Sequence, residues 1–355
     1  MKITIKAATN KCKSCGDDLI YSPDKKCLYC ISCKSTFDVN SKTGLPKHNF
    51  DEAKELTTHK NSEWLNQNKS LQCPNCGAKT ILTGFQKSST CAYCDTSLIS
   101  IDSNNEGIKP DSIIPFVFGT EKAEEIFKTK IKQKWFVSNK FKNTISTDEI
   151  HAYYFPAFIY DASCNTSYEG KLYENYDETD SSGNTNSKRK YFDINGQILT
   201  THQNIAIEAS TRLSQYELNS IKPYNFNEAK TYIDEYVYGY SLECYSNSLN
   251  ETKNQAETII KADIKKDILR KYDHDGVDYL KMNTEFTHLK YSYCLLPMYR
   301  INYSHKNKKY SNIMNGQTGS LTGDYPKSAL KISLVVILAL LLFGIPLIAF
   351  IVSFL

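Results

Sequence analysis

The chain has 355 residues, 41% hydrophobic and 23% charged, which is enough for two or three packed units and excludes wholesale disorder. A net charge of +4 permits contact with anionic partners but falls far short of the basic balance of a dedicated nucleic-acid domain. Tyrosine is abundant at 25, which points to strand-rich structure with amphipathic, half-buried faces. The opening stretch, MKITIKA, has no long apolar core and does not read as a signal peptide.

Within residues 1–100 one four-cysteine pattern is written twice. Cys12-Lys-Ser-Cys15 and Cys30-Ile-Ser-Cys33 form the first copy, and Cys73-Pro-Asn-Cys76 and Cys91-Ala-Tyr-Cys94 the second. Fourteen residues separate the inner cysteines of each copy, and every matched cysteine is displaced by 61 positions. The echo extends to Gly16 with Gly77, Ile20 with Ile81 and Phe37 with Leu98.

Two CxxC turns brought together make a tetrahedral thiolate cage suited to zinc, and four sulfurs leave no position for an activated water. The expectation is therefore two zinc ribbons, each with one structural ion. A lone CxxC could be a disulfide or a thioredoxin-like redox pair, but four at a repeated spacing disfavour both. Cys27 also forms a CxxC with Cys30, while the second copy has Ser88 at the equivalent place. Cys30 and Cys33 are assigned as ligands, with Cys27 a small buried apolar side chain. Eight cysteines committed to metal imply a reducing compartment, which places the head in the cytoplasm.

Residues 1–40 hold ribbon 1, with seven lysines against Asp17, Asp18, Asp24 and Asp38, and with Tyr21, Tyr29 and Phe37 among them. That mixture could be a stacking platform for nucleic acid. A solvated ribbon with a tiny aromatic core is the preferred reading, because arginine, the usual reader of bases, is absent there. Residues 41–68 are a polar connector with short helical pieces and solvated His48 and His59. Residues 69–103 hold ribbon 2.

A new unit begins near 107–115 and is expected to run over 104–326 as a β-rich α+β domain. Residues 121–135 place Ala123, Phe127, Ile131 and Trp135 at i+4 steps, the pattern of an amphipathic helix. Residues 153–160 read as a buried or edge strand interrupted by Pro156, and 168–173 as a second strand. Residues 174–190 are polar and read as a long mobile loop. Asn195-Gly196 predicts a hairpin turn. Ala256, Ile260, Ile264 and Ile268 predict a long helix over 249–272, stopped near Gly276, with His274 capping or solvated. Strands then follow over 277–288, 289–303, 310–314 and 317–322, with Asn315-Gly316 as a further hairpin turn. Cys164, Cys244 and Cys294 read as packing residues.

Residues 332–355 carry no charge at all and follow Lys327 and Lys331. As a helix these residues would rise about 36 Å, against roughly 30 Å of hydrocarbon. The expectation is one C-terminal transmembrane helix, kinked at Gly344 and Pro346, within a lipid-contacting anchor over 327–355. The positive-inside bias would then leave the N-terminal bulk in the cytoplasm.

The assembled pieces resemble a bacterial family of membrane-anchored proteins with transcription-factor-IIB-type zinc ribbons. The likeness covers nearly the whole chain. It rests on Ser89-Thr-Cys91-Ala-Tyr-Cys94, Ile113-Ile-Pro-Phe116, Lys134-Trp-Phe136, Tyr154-Phe-Pro-Ala-Phe158, Leu295-Leu-Pro-Met298 and Asn315-Gly-Gln-Thr-Gly319, in that order. The chain departs at Cys27 and at Asp95, where the family usually has glycine. Members are often labelled by association with a primosomal helicase, and the resemblance implies fold, topology and zinc without an activity.

The sequence contains no GxxxxGK[ST], HExxH, GxSxG or GxGxxG run, so the motifs of a motor, zinc protease, serine hydrolase or dinucleotide enzyme are missing. The expected function is a non-enzymatic, tail-anchored adaptor with an unidentified protein partner. The alternative is a membrane-tethered nucleic-acid binder.

Overall fold

The computed structural model describes residues 11–50, 69–82, 91, 93, 96–97, 99–100, 108–145, 147, 149–179, 181, 183, 185–340 and 342. In chain order, β1 (Leu19–Ser22), β2 (Cys27–Cys30) and β3 (Thr36–Asp38) form a small antiparallel sheet. They are followed by β4 (His48–Asn49), β5 (Lys69–Gln72), β6 (Lys79–Leu82), β7 (Ile99–Ser100) and β8 (Ser112–Ile113). Helices α1 (Thr120–Gln133) and α2 (Asn139–Asn143) lead into two very long strands, β9 (Glu149–Thr179) and β10 (Thr185–Glu208). Next come α3 (Gln215–Ser220), β11 (Lys230–Thr231), β12 (Ser241–Glu243) and α4 (Leu249–Leu269). The chain closes with β13 (Gly276–Phe286), β14 (Lys290–His305), β15 (Lys308–Asn315), β16 (Leu321–Gly323) and α5 (Ala329–Ala339).

β9 organises this architecture. Its first half pairs with β14 on one side and, in parallel, with β12 on the other; its second half runs between β13 and β10. The burial pattern along β9 explains the change of neighbours. Residues 153–160 are all buried, because packed layers cover both faces of the sheet there. From Ala162 to Leu172 burial alternates, since only one face is covered, by Ile260, Ile264 and Ile268 of α4. Pro156, which has no N–H to give a ladder, lies where β9 changes partner from β12 to β10. The two strands expected at 153–160 and 168–173 are thus one.

Two further expectations need correction. The expected loop over 174–190 is largely strand: β9 runs to Thr179, which pairs with Thr185 at the start of β10. Cross-strand partners such as Lys188 with Glu178, and Arg189 stacked 4.4 Å from the Tyr173 ring centroid, let this polar sequence stay paired. Asn195-Gly196 makes no turn either and lies inside β10, opposite Glu169 and Tyr168. Gly196 leaves room for an aromatic ring, because a Cβ there would stand 2.8 Å from the Tyr168 hydroxyl. Asn315-Gly316, by contrast, does join β15 to β16.

Helices α1 and α4 fall where the apolar spacing puts them and bury Ala123, Phe127 and Ile131, and Ala256, Ile260, Ile264 and Ile268, but Trp135, expected on the face of α1, lies beyond its end and is 51% exposed. Ser248 caps α4 in a capping box with Glu251. The tyrosines are less superficial than composition suggests. Tyr153, Tyr154, Tyr160, Tyr299 and Tyr303 are fully buried, and each hydroxyl finds a partner, such as the Leu249 carbonyl for Tyr160 and the Asp324 carbonyl for Tyr303. Four aromatic rings, Phe116, Tyr154, Tyr240 and Tyr299, meet in the largest core cluster.

The fold is β-rich α+β, and the transmembrane helix expected over 332–355 is corrected. Helix α5 has 11 residues, and no helix among the described residues is long and apolar enough to cross a membrane. The single-pass membrane placement, with its lipid anchor and cytoplasmic N-terminal bulk, loses its basis. Residues 343–355, with Gly344 and Pro346, lie outside the described residues. Lys331, expected only to flank a span, donates to the Trp135 and Val137 carbonyls and to Asn139, at 2.9, 3.0 and 2.8 Å.

Candidate metal centre

Each cluster is assembled by short turns. In ribbon 1, Cys12 and Cys15 lie on the turn before β1, Cys30 ends β2, and Cys33 follows in the next turn. The Cys12 N–H donates to the Asp17 carbonyl at 2.6 Å and Gly16 N–H to the Cys12 carbonyl at 2.8 Å. In ribbon 2, Cys73 N–H donates to the Ala78 carbonyl and Gly77 N–H to the Cys73 carbonyl, both at 2.8 Å. The second halves match too: Cys30 donates to Ser35, and Cys91 to Thr96. The 61-residue sequence register is therefore a register of backbone hydrogen bonds. Gly16 and Gly77 take φ of +77° and +72°, where a Cβ would strain the turn. Lys34 adopts a similar φ of 65° after the second CxxC of ribbon 1; its counterpart Asp95 lies outside the described residues.

These turns bring the Sγ atoms of Cys12, Cys15, Cys30 and Cys33 within 4.8 Å of one another, and likewise those of Cys73, Cys76 and Cys91. The Cys12–Cys33, Cys15–Cys30 and Cys76–Cys91 sulfur pairs stand at 3.5 Å. Zinc–sulfur bonds of about 2.3 Å set tetrahedral sulfurs about 3.8 Å apart, whereas a disulfide needs only about 2.05 Å. The spacing fits a shared ion better than bridges. Cys94, the expected fourth ligand of ribbon 2, lies outside the described residues. Cys27 is buried in β2, opposite Ser22 and Asp38, and stands outside the first cluster.

Backbone N–H groups point at the sulfurs: Ser14 at Cys12 and Cys76 at Cys73, both 3.4 Å, and Tyr93 at Cys91, 3.5 Å. Such donors stabilise thiolates. Hydrogen bonding by the Ser35 hydroxyl and backbone holds Cys33 down to about 6. Hydrogen bonding at the Asp17 backbone pulls Cys15 the same way, but the neighbouring Cys33 and Cys30 sulfurs outweigh it and push Cys15 up to about 12. Four sulfurs this close cannot all be bare thiolates, and a divalent cation removes the conflict.

Neither ribbon stands free. In ribbon 1, Tyr21 donates its N–H to the Tyr238 carbonyl at 2.9 Å, accepts from the Tyr240 hydroxyl at 3.3 Å, and packs edge-on to Tyr236. Asp24 accepts from Gly119 N–H at 3.3 Å, at the N-terminus of α1. In ribbon 2, β6 pairs with β12 and so joins the main sheet. The Tyr93 hydroxyl donates to the buried Glu243 carboxylate, and Tyr93 packs against Tyr153 at 5.7 Å and beneath Arg300 at 4.6 Å. Burial pushes Glu243 up to about 7, although Ser210 and Tyr93 donate to it. Sequence reasoning missed this carboxyl; the lone acidic residue in the apolar Tyr236–Tyr245 stretch was the available signal.

Of the histidines, His48 is half-buried rather than solvated and contacts Asp111 at 2.9 Å, while His59 lies outside the described residues. His274 donates its Nδ1–H locally to the Tyr272 carbonyl at 3.1 Å. No histidine joins either sulfur cluster among the described residues.

No protein-family model matches the chain, and no solved structure matches it. It is similar to the "Uncharacterized protein YdjG" of Bacillus subtilis (strain 168), at 25% identity over 337 residues, covering 91% of each chain.

Proposed function

We propose that the chain is a zinc-ribbon protein with two structural zinc ions and that it serves as a non-enzymatic protein-interaction adaptor. Cys12, Cys15, Cys30 and Cys33 hold one ion; Cys73, Cys76 and Cys91, with Cys94 as the fourth ligand by the sequence echo, hold the other. The observation that carries this reading is the sulfur geometry: four Sγ atoms within 4.8 Å on two hydrogen-bonded turns in ribbon 1, with the three matched cysteines Cys73, Cys76 and Cys91 gathered the same way 61 residues on. Four thiolates close the coordination sphere, which supports a structural ion and no metal-activated water.

For the adaptor role, support comes from the outward side of ribbon 1. Ile31, between Cys30 and Cys33, is 57% exposed, with Lys13 and Lys34 exposed on the neighbouring turns. An exposed apolar tip with Lys13 and Lys34 nearby, and Asp17 held by the adjacent Ser32, suits a protein segment carrying an apolar residue flanked by charged ones. A nucleic-acid reading draws on the same lysines and Tyr29, but Lys25 already stands 3.7 Å from the Tyr29 ring centroid and occupies that stacking surface.

Affinity capture with the intact chain and an Ile31→Asp variant tests the adaptor role. A partner held by the native chain and lost by the variant supports it; equal capture overturns it. Binding to single-stranded oligonucleotides across a salt series would reveal the rival as affinity that falls steeply with salt.

A further inference from the structure

The second cluster is wired into the middle of the main sheet by one side chain. Tyr93 lies two residues beyond Cys91, and its N–H donates to the Cys91 sulfur. Its hydroxyl reaches the Glu243 carboxylate at the end of β12. Glu243 is 5% exposed and has one hydroxyl on each oxygen, Tyr93 on Oε2 and Ser210 on Oε1. Ser210 is held in turn by the Arg212 N–H at 3.0 Å.

β12 is only three residues long, yet it is the strand that joins ribbon 2 to the core. Leu242 and Glu243 pair with Ile81 and Thr80 of β6, while Ser241 and Leu242 pair with Tyr153 and Tyr154 of β9. So narrow a junction has little ladder of its own, and the Tyr93–Glu243 contact adds a side-chain tie across it. Withdrawal of the phenol would leave a buried carboxyl with one donor fewer, a state that opens the junction to water.

We propose that Tyr93 and Glu243 form a latch through which metal occupancy of the second cluster sets the order of β12 and its junction with the main sheet. Metal fixes the Cys91 turn, the turn aims the phenol, and the phenol completes the shell of Glu243. Because such coupling is reciprocal, loss of the phenol hydroxyl weakens metal retention at the second cluster and spares the first. The latch rests on the proposed zinc binding and specifies how that site is read by the rest of the protein.

The test uses the full chain loaded with zinc. Hydrogen exchange at residues 241–243 and 210 is compared before and after zinc is stripped, and zinc release to a competing chelator is followed in native, Tyr93→Phe and Glu243→Gln proteins. Stripping is expected to speed exchange at 241–243 while leaving 276–286 of β13 unchanged. Tyr93→Phe is expected to give up its second zinc about tenfold more readily, as leaving a buried carboxyl oxygen without its donor implies, with the first zinc unchanged. Glu243→Gln keeps an acceptor for Tyr93 and is expected to stay close to the native release rate. Unchanged exchange on stripping, or native-like release from Tyr93→Phe, overturns the latch and leaves the zinc reading standing. A native chain that retains no zinc overturns both.

Discussion

The first cluster faces outward. Cys15 and Ile31 are exposed, and the ribbon is tied to the core from behind, through Tyr21, Asp24 and a close contact of Ile20 with Gly239. The second faces inward: Cys76, the counterpart of Cys15, is half-buried, and Tyr93 within its Cys91 turn reaches Glu243 and Tyr153. Both clusters use one set of backbone hydrogen bonds, so the turn itself does not decide the orientation. The residues inside the second CxxC do. Ile31-Ser32 leaves the first turn without a tether to the core, whereas Tyr93 supplies ribbon 2 with an apolar ring and a polar tip that a buried carboxyl can accept. The same metal-binding module thus serves as a presented surface in one place and as a wedge in the core in the other.

The largest effect that separates the clusters comes from their ligands. Cys33→Ser is expected to release one of two zinc ions and to unfold β1–β3, since metal binding and folding are one step in so small a sheet. Cys27→Ser should keep both ions. Elemental analysis of the purified variants checks this, and the opposite pattern would move the site by three residues.

Gly239→Ala probes how ribbon 1 is seated. Gly239 has φ of +88°, and an added Cβ would stand 2.9 Å from the Ile20 side chain. A loss of roughly 1–3 kcal/mol in denaturant unfolding is expected, with zinc at the second cluster retained.

Glu243 adds a carboxyl pH dependence beside the inward cluster. Its folded value of about 7 lies above the ordinary 4.5, so the unfolded chain releases this proton first as pH rises. The stability it contributes is fully present below about 4.5, falls as pH rises, and is gone above about 7. The difference in unfolding free energy between the native chain and Glu243→Gln should therefore change across that window and be flat above it. A flat difference throughout would remove Glu243 as the cause.

Asp24→Ala is the mildest probe. It removes a carboxylate from the N-terminus of α1, and a cost of about 0.5 kcal/mol is expected in thermal melts.

Much of this was legible from residue patterns alone. Repeated CxxC spacing located both clusters, i+4 spacing located α1 and α4, and Asn315-Gly316 marked a true hairpin. Other features depended on partners distant in the chain. The polar 174–190 segment reads as loop because its stabilisation is cross-strand, with Lys188 opposite Tyr176 and beside Glu178. Asn195-Gly196 carries turn chemistry, yet the glycine is needed for the Tyr168 ring. Glu243 stands out only as a lone acid in an apolar stretch, and its partners, Tyr93 and Ser210, are 150 and 33 residues away. The uncharged C-terminal run has the composition of a span, whereas the helix formed within the described residues is 11 residues long.

Zinc content measured together with thiol protection on the intact, reduced chain tests the central claim most directly. Two zinc ions per chain are expected, with Cys12, Cys15, Cys30, Cys33, Cys73, Cys76, Cys91 and Cys94 shielded from alkylation, and with one ion lost in Cys73→Ser. A metal-free chain with those thiols open or paired in disulfides, or a Cys73→Ser variant that still holds two ions, would contradict it.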